Sequence, residues 1–179
     1  PTLLITGATG YIGRAFAEEA SSSSSLILVD RDYDQLDELN NYLSKENKHT
    51  HHSIMCDLSD ERSRQELIEI VKQDHPKLNG VINNAAFTGD TNLCGWAVPF
   101  EKQSLDTWRA ALEVNLTAAF DLSQGLSPLL KENHDGHILN VASIYGSVGP
   151  DMRVYDDTEM GNPAAYAASK GGLIQLTKW

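Results

Sequence analysis

Short apolar runs alternate with amphipathic stretches along all 179 residues, which predicts an α/β fold: a doubly wound parallel sheet with helices on both faces. Two further observations agree. The apolar runs are continuous rather than alternating, as in strands buried on both sides. The first of them also stops at a glycine-rich turn, TGATGYIG (6–13).

Taken in order, PTLLIT (1–6) is the first strand and YIGRAFAEEA starts the first helix. LILVD (26–30) is the second strand, and DYDQLDELNNYLSK sets Tyr33, Leu36, Leu39 and Leu43 on one helix face. SIMC (53–56) is the third strand, followed by ERSRQELIEIVKQ, a helix with Leu67, Ile68 and Val71 inward. Leu78 and GVIN (80–83) form the fourth strand. Residues 104–133 predict one long helix capped by Ser104, with Asp106 in its first turn. HILNVAS (137–143) is the fifth strand. A loop rich in Gly, Asp and Pro leads to a last helix, with Asn162 expected as N-cap and Pro163 as its first position. Residues 21–25 are all serine where a helix should close on a glycine, and such a run is expected to be a flexible linker.

The chain is long enough for one domain with a core that needs no disulfides. A net charge of −11 disfavours nucleic acid and anionic membrane as partners, since both need a basic face. Cys56 and Cys94 make no disulfide framework, and no apolar run approaches a membrane span. No signal peptide is expected, because the first motif begins almost at residue 1. These features point to a cytoplasmic protein. His49, His51 and His52 (HTHH) are expected in a solvated loop, and no metal site is expected.

In the turn, Gly7 allows a tight bend, Gly10 lets backbone approach a phosphate, and Gly13 lets the helix lie near the strand. The helix N-terminus then offers unpaired N–H groups to a pyrophosphate, so a Rossmann-type dinucleotide-binding domain is expected. Thr9, Tyr11 and Ile12 join the candidate cofactor-binding set. Asp30, ending the second strand, suits both ribose hydroxyls and repels a 2′-phosphate, which favours NAD over NADP. Arg31 beside it opposes that preference, since it can pair with the phosphate. Asp57 is placed to meet the adenine amino group, with Leu58 next to it, or to serve as a cap or turn residue.

With NNAA (83–86), VNL (114–116), Ser143 and YAASK (166–170) in order behind this turn, the chain resembles the short-chain dehydrogenase/reductase family over essentially its whole length. The resemblance implies a catalytic tetrad of Asn115, Ser143, Tyr166 and Lys170. Tyrosine is a poor base at neutral pH, and a cation one helical turn away favours its phenolate. Tyr166 is thus the expected general acid/base, with Lys170 activating it and also binding the nicotinamide ribose. Ser143 would polarise the substrate oxygen. Asparagine weakens a helix interior, and the resemblance gives Asn115 the role of holding a proton-relaying water. It also sets Asn84 and Ala85 along the cofactor and leaves Asn83 to tie strands. Gly171 and Gly172 would leave room for cofactor or for close helix packing.

Three features depart from the shorter family members. TGxxGxxG resembles the spacing of longer members that act on nucleotide sugars. Ser143 and Tyr166 stand further apart than usual, with Asp151, Arg153, Tyr155, Asp156, Asp157 and Glu159 in the added loop. The sequence stops at Trp179 inside the helix carrying Tyr166, so the C-terminal strands and substrate-closing segment are expected to be missing. The leading expectation is an NAD-dependent oxidoreductase interconverting a secondary alcohol and a ketone. The acidic loop suggests a sugar-like substrate, as in bacterial surface-sugar pathway members. Alternatives are a nucleotide-sugar epimerase or dehydratase with recycled NAD, and a non-catalytic dinucleotide-binding regulator. Surplus apolar residues at Trp108, Leu112, Leu116, Phe120 and Leu126 predict a homo-oligomer, which the resemblance also implies. Trp96 and Phe100 either line the pocket or anchor their loop.

Overall fold

The computed structural model describes residues 1–89, 92–133, 135–158 and 160–179, so Glu159 lies outside the described residues. Two compact units divide the chain. The first comprises Pro1–Ala85 with Asp121–Val141, and the second Ala86–Phe120 with Ala142–Trp179.

The first unit holds a five-stranded sheet made of β1 (Thr2–Thr6), β2 (Ser25–Asp30), β3 (His51–Met55), β4 (Leu78–Asn83) and β5 (His137–Asn140). All neighbours run parallel in the order β3-β2-β1-β4-β5, and Leu4 of β1 aligns with Ile27 of β2 and Val81 of β4. The winding reverses at β1, so ligands are expected beyond the carboxyl ends of β1 and β4. Helices α1 (Tyr11–Ser21) and α2 (Tyr33–Glu46) share one core cluster, in which Ala17, Leu36, Leu39 and Leu43 meet Ile5, Leu26 and Leu28. Each fully buried leucine or isoleucine contributes roughly 1.5–3 kcal/mol. Tyr33, expected on that face, is exposed instead. Helix α3 (Glu61–Asp74) buries Leu67, Ile68 and Val71 as predicted, and Ile68 fits against Gly125 of α5 (Ala118–Glu132). The buried Arg64 guanidinium donates to the Asp121 carboxylate and to the Leu58 carbonyl, each at 2.8 Å. That pairing and hydrogen bonding compensates for burying the charge.

Two further expectations fail in this unit. Residues 21–25 are no linker: Ser21 closes α1, Ser22 and Ser23 make the turn, and Ser25 begins β2. The hydroxyls of Ser21, Ser22 and Ser23 donate to the carbonyls three residues back, satisfying helix-end acceptors without a glycine. The Asn47 amide donates to Ser21 Oγ at 2.9 Å, tying this turn to the end of α2. The histidine segment is no solvated loop either, because β3 begins at His51, whose ring is buried. Pairing with Leu26 of β2 draws it into the sheet.

The second unit contains α4 (Leu105–Leu112), a π-helical turn (Glu113–Thr117) and α6 (Ala164–Lys178). Ser104 caps α4 as expected, accepting from the Thr107 N–H at 3.1 Å. The predicted long helix is therefore interrupted at Asn115. Helix α6 starts one residue later than predicted, with Pro163 at the cap position. Asn162 does not cap it; Gln103 Oε1 accepts from the Ala164 N–H at 3.0 Å instead. Phe87, Leu93, Trp96, Ala111, Ala165 and Tyr166 form the unit's apolar cluster. Trp96 is thus a loop anchor, while Phe100 stands exposed. Of the five apolar positions expected at a surface, Leu126 is core, whereas Trp108 and Phe120 are exposed.

Candidate active site

The nucleotide-side residues lie in the first unit. Gly7 has φ 63, and a Cβ there would stand 2.8 Å from Ala85 Cα; a Cβ on Gly13 would collide with the Gly7 carbonyl. Only glycine fits either place. Thr6 Oγ accepts from the N–H groups of both Asn84 and Ala85 at 3.1 Å, joining the ends of β1 and β4. The Asn84 amide donates to the carbonyls of Thr6 and Gly7 at 2.9 and 3.1 Å. Its side chain therefore shapes the turn, a structural task beside the place along the cofactor expected of Asn84. Asn83 also ties strands, donating to Asn140 Oδ1 at 2.8 Å.

Asp30 holds the same turn. One carboxylate oxygen accepts from the Thr9 N–H and hydroxyl at 3.0 and 2.7 Å, and the other from the Arg31 N–H at 2.8 Å. Gly10 caps α1 without any side-chain bond, and the first turn carries no acidic residue. Its N–H groups and dipole are accordingly open to an anion, with Tyr11 and Ile12 exposed beside them. Arg31, Tyr33, Met55, Asp57 and Asp60 line a depression of about 610 Å³ beyond β2 and β3. Asp57 takes the turn role there: its carboxylate accepts from the Ser59 hydroxyl and N–H at 2.7 and 2.9 Å, which lowers its pKa. Leu58 is buried and offers its carbonyl to Arg64. The glycine cradle and the uncapped helix end fit a dinucleotide pyrophosphate.

The four tetrad positions lie in the second unit. Asn115 is buried and its amide is committed: Oδ1 accepts from the Phe87 N–H at 2.6 Å, while Nδ2 donates to the Phe87 carbonyl at 3.3 Å and to Ser169 Oγ at 3.0 Å. Ser169 in turn donates to the Tyr166 carbonyl at 2.8 Å. Both amide hydrogens are thus engaged, and a relayed water would have only a lone pair of Oδ1 or the backbone. Lys170 is 2% exposed, and its ammonium lies 6.0 Å from the centre of the Tyr166 ring. Burial draws the Lys170 pKa down from 10.5 to about 8. Ser143 Oγ accepts from the Tyr145 N–H at 3.2 Å, which leaves its own hydrogen to donate elsewhere. Gly172 fits against Leu116 of the π turn, so close packing explains this glycine.

Sequence reasoning missed Thr6, Gln103 and Ser169. Ser169 lies three residues after Tyr166, a helical neighbour position that could have singled it out. Thr6 and Gln103 act across the fold and leave no local pattern. Among the described residues no cluster of metal-ligating side chains occurs.

A parallel sheet wound in this order with a glycine cradle after its first strand defines a dinucleotide-binding α/β protein. The short chain dehydrogenase family matches residues 1–179, and the chain belongs to it. It is 27% identical over 178 residues to the 3-oxoacyl-(acyl-carrier-protein) reductase FabG of Haemophilus influenzae, covering 98% of this chain and 64% of that one. A short-chain dehydrogenase from Sphingobium yanoikuyae in complex with NADPH superposes with TM-score 0.82 at 25% identity, over 99% of this chain and 63% of that one. An NAD⁺-bound xylitol dehydrogenase superposes with TM-score 0.82 at 29% identity, over 99% and 62%. The chain therefore spans slightly under two thirds of the length of these relatives.

Proposed function

We propose that the protein interconverts a secondary alcohol and a ketone, with Tyr166 as general acid/base and NAD as the preferred dinucleotide. The observation that carries this reading is the buried Lys170 one helical turn from Tyr166 on α6. When the alcohol is oxidised, Tyr166 takes the hydroxyl proton while Ser143 donates to the same oxygen. Lys170 favours the phenolate electrostatically, and Asn115 and Ser169 hold the helix segment that carries both groups. Gly7, Gly10, Gly13, Thr9, Tyr11, Ile12, Arg31, Leu58, Asn84, Ala85 and Lys170 would hold the dinucleotide, with Asp30 toward its adenosine ribose and Asp57 near its adenine. A bound nicotinamide supplies the two-electron hydride acceptor or donor.

Asp30 at the end of β2 supports the NAD preference. The hydrogen-bonding groups of the 149–162 loop support a sugar-like polyol, although Met152, Val154 and Met160 there are exposed and apolar. The relatives above are reductases and dehydrogenases, which disfavours an epimerase. Two free cysteines, one exposed, suit the cytoplasm. Exposed Leu105, Trp108 and Phe120 support a homo-oligomer; light scattering at micromolar concentration should give at least twice the monomer mass, and a monomer refutes it.

The direct test is NADH formation across a panel of secondary alcohols and polyols. Tyr166→Phe keeps the ring and its packing, so dinucleotide affinity should persist while turnover falls about a hundredfold or more. Near-normal turnover at every pH would place the acid/base elsewhere.

A further inference from the structure

The long segment between Ser143 and Tyr166 contains two short 3₁₀ turns with their own hydrogen bonds, Ile144–Gly146 and Met152–Tyr155. In the first, the Ser143 carbonyl accepts from the Gly146 N–H at 3.0 Å, and the Ile144 carbonyl accepts from the Ser147 and Val148 N–H groups at 2.9 Å. This turn sits tightly on α6, since a Cβ on Gly146 would stand 2.7 Å from the Lys170 carbonyl carbon. In the second, Asp151 accepts from the Arg153 N–H and pairs twice with its guanidinium, at 2.8 and 2.6 Å. The Tyr155 carbonyl accepts from the Thr158 N–H and hydroxyl at 3.1 and 2.7 Å. The two turns meet through their phenols: the Tyr145 and Tyr155 hydroxyl oxygens lie 3.0 Å apart.

Tyr145 is also the residue whose N–H occupies a lone pair of Ser143 Oγ. Fixing its ring fixes that N–H, and with it the direction left for the serine hydrogen. The added loop thus reaches Tyr145 through the Tyr155 hydroxyl and the Asn162 amide, and reaches Ser143 through Tyr145. We propose that Tyr155 is a positioning residue for Ser143, acting through Tyr145, so that the 149–162 loop and the serine hydroxyl become ordered together. This inference rests on the reading of Ser143 as the partner of the substrate oxygen. A polyol that engages the loop would then also favour the donating arrangement of Ser143, which makes the loop a specificity element.

Hydrogen exchange on the intact protein tests the latch without any substrate. Tyr155→Phe removes only the hydroxyl, and the amides of residues 145–148 should exchange about fivefold faster, the effect of one lost hydrogen bond. Tyr145→Phe should do at least as much, since its hydroxyl also meets the Asn162 side chain, and adding Tyr155→Phe to it should have no further effect, because the shared bond is already gone. Faster exchange confined to residues 152–158, or additive effects, would overturn the proposal. With an alcohol the unmodified protein oxidises, Tyr155→Phe should lower kcat about fivefold with KM for NAD unchanged; an unaltered kcat alongside faster exchange also overturns it. Absence of turnover in the unmodified protein counts against the oxidoreductase reading, while the exchange result still decides the latch.

Discussion

The Asn115 amide and the Ser169 hydroxyl meet at 3.0 Å, joining the π turn to α6 one residue before Lys170. The same amide pairs with both backbone groups of Phe87. Asn115→Leu keeps the volume but leaves those buried groups without partners, at about 1–3 kcal/mol each. A loss of about 2–4 kcal/mol in urea unfolding is expected. A change below experimental error would mean that water replaces the amide and that the clamp contributes nothing.

Lys170 gives a stability signature at high pH. Its pKa is 10.5 when unfolded and about 8 when folded, so between these values the unfolded chain binds more protons. Stability therefore rises as pH increases through that window, and the cost of the buried charge is fully present below it. Lys170→Met removes the titrating group and should flatten this alkaline slope. Denaturant unfolding at pH 7 and pH 10 checks this. A variant that keeps the parent's rise in stability between these pH values contradicts it.

Asp30 should affect both dinucleotides for different reasons. Asp30→Ala releases the Thr9 N–H and hydroxyl, loosening the turn, and also removes the charge proposed to disfavour a 2′-phosphate. Calorimetric titration should show NAD affinity falling about tenfold, as expected for lost bonds to a charged acceptor, with NADP falling less. Tighter binding of NADP than NAD by the unmodified protein would mean that Arg31 dominates.

Mild acid should act first at β3. His51 is buried with both ring nitrogens unbonded, and burial, followed by the charges of His49 and His52, lowers its pKa from 6.5. His75 is lowered by burial and then by His52, whose ring lies 4.7 Å away. Below pH 6.5 the unfolded chain therefore binds more protons, and stability falls with pH. Asp32, Asp57 and Asp151, lowered from 3.8, lose their contributions only in stronger acid. His51→Leu should make the melting temperature less sensitive between pH 6.5 and 5. An unchanged slope would assign the acid response to other groups.

The strands and the glycine turn were legible because buried parallel strands leave continuous apolar runs and the cradle leaves its glycine spacing within one short segment. The interruption at Asn115 was legible only as an oddity, since the partners that explain it, Phe87 and Ser169, are far apart along the chain. The cap of α6 was misread for the same reason: Gln103 reaches Ala164 from another loop, which no local pattern at Asn162 reveals. The serine run misled because composition signals flexibility, whereas here the hydroxyls of Ser21, Ser22 and Ser23 fold back on the helix end. His51 looked polar and loop-bound, yet pairing with β2 outweighed its composition. Within the candidate site, residue types at strand ends were readable, but the division of work between Asn83 and Asn84 depended on which amide faced the turn.

Trp96 is 3% exposed with its indole N–H donating to the Thr88 carbonyl, whereas Trp108 is 36% exposed. These two fluorophores report different environments, and an aqueous quencher should silence Trp108 before Trp96. Blue, quencher-resistant emission is therefore expected from Trp96, whose ring lies edge-on to Phe87 at 5.0 Å. Because Asn115 holds the Phe87 backbone, a red shift in that component would follow release of this loop in real time, with no label attached.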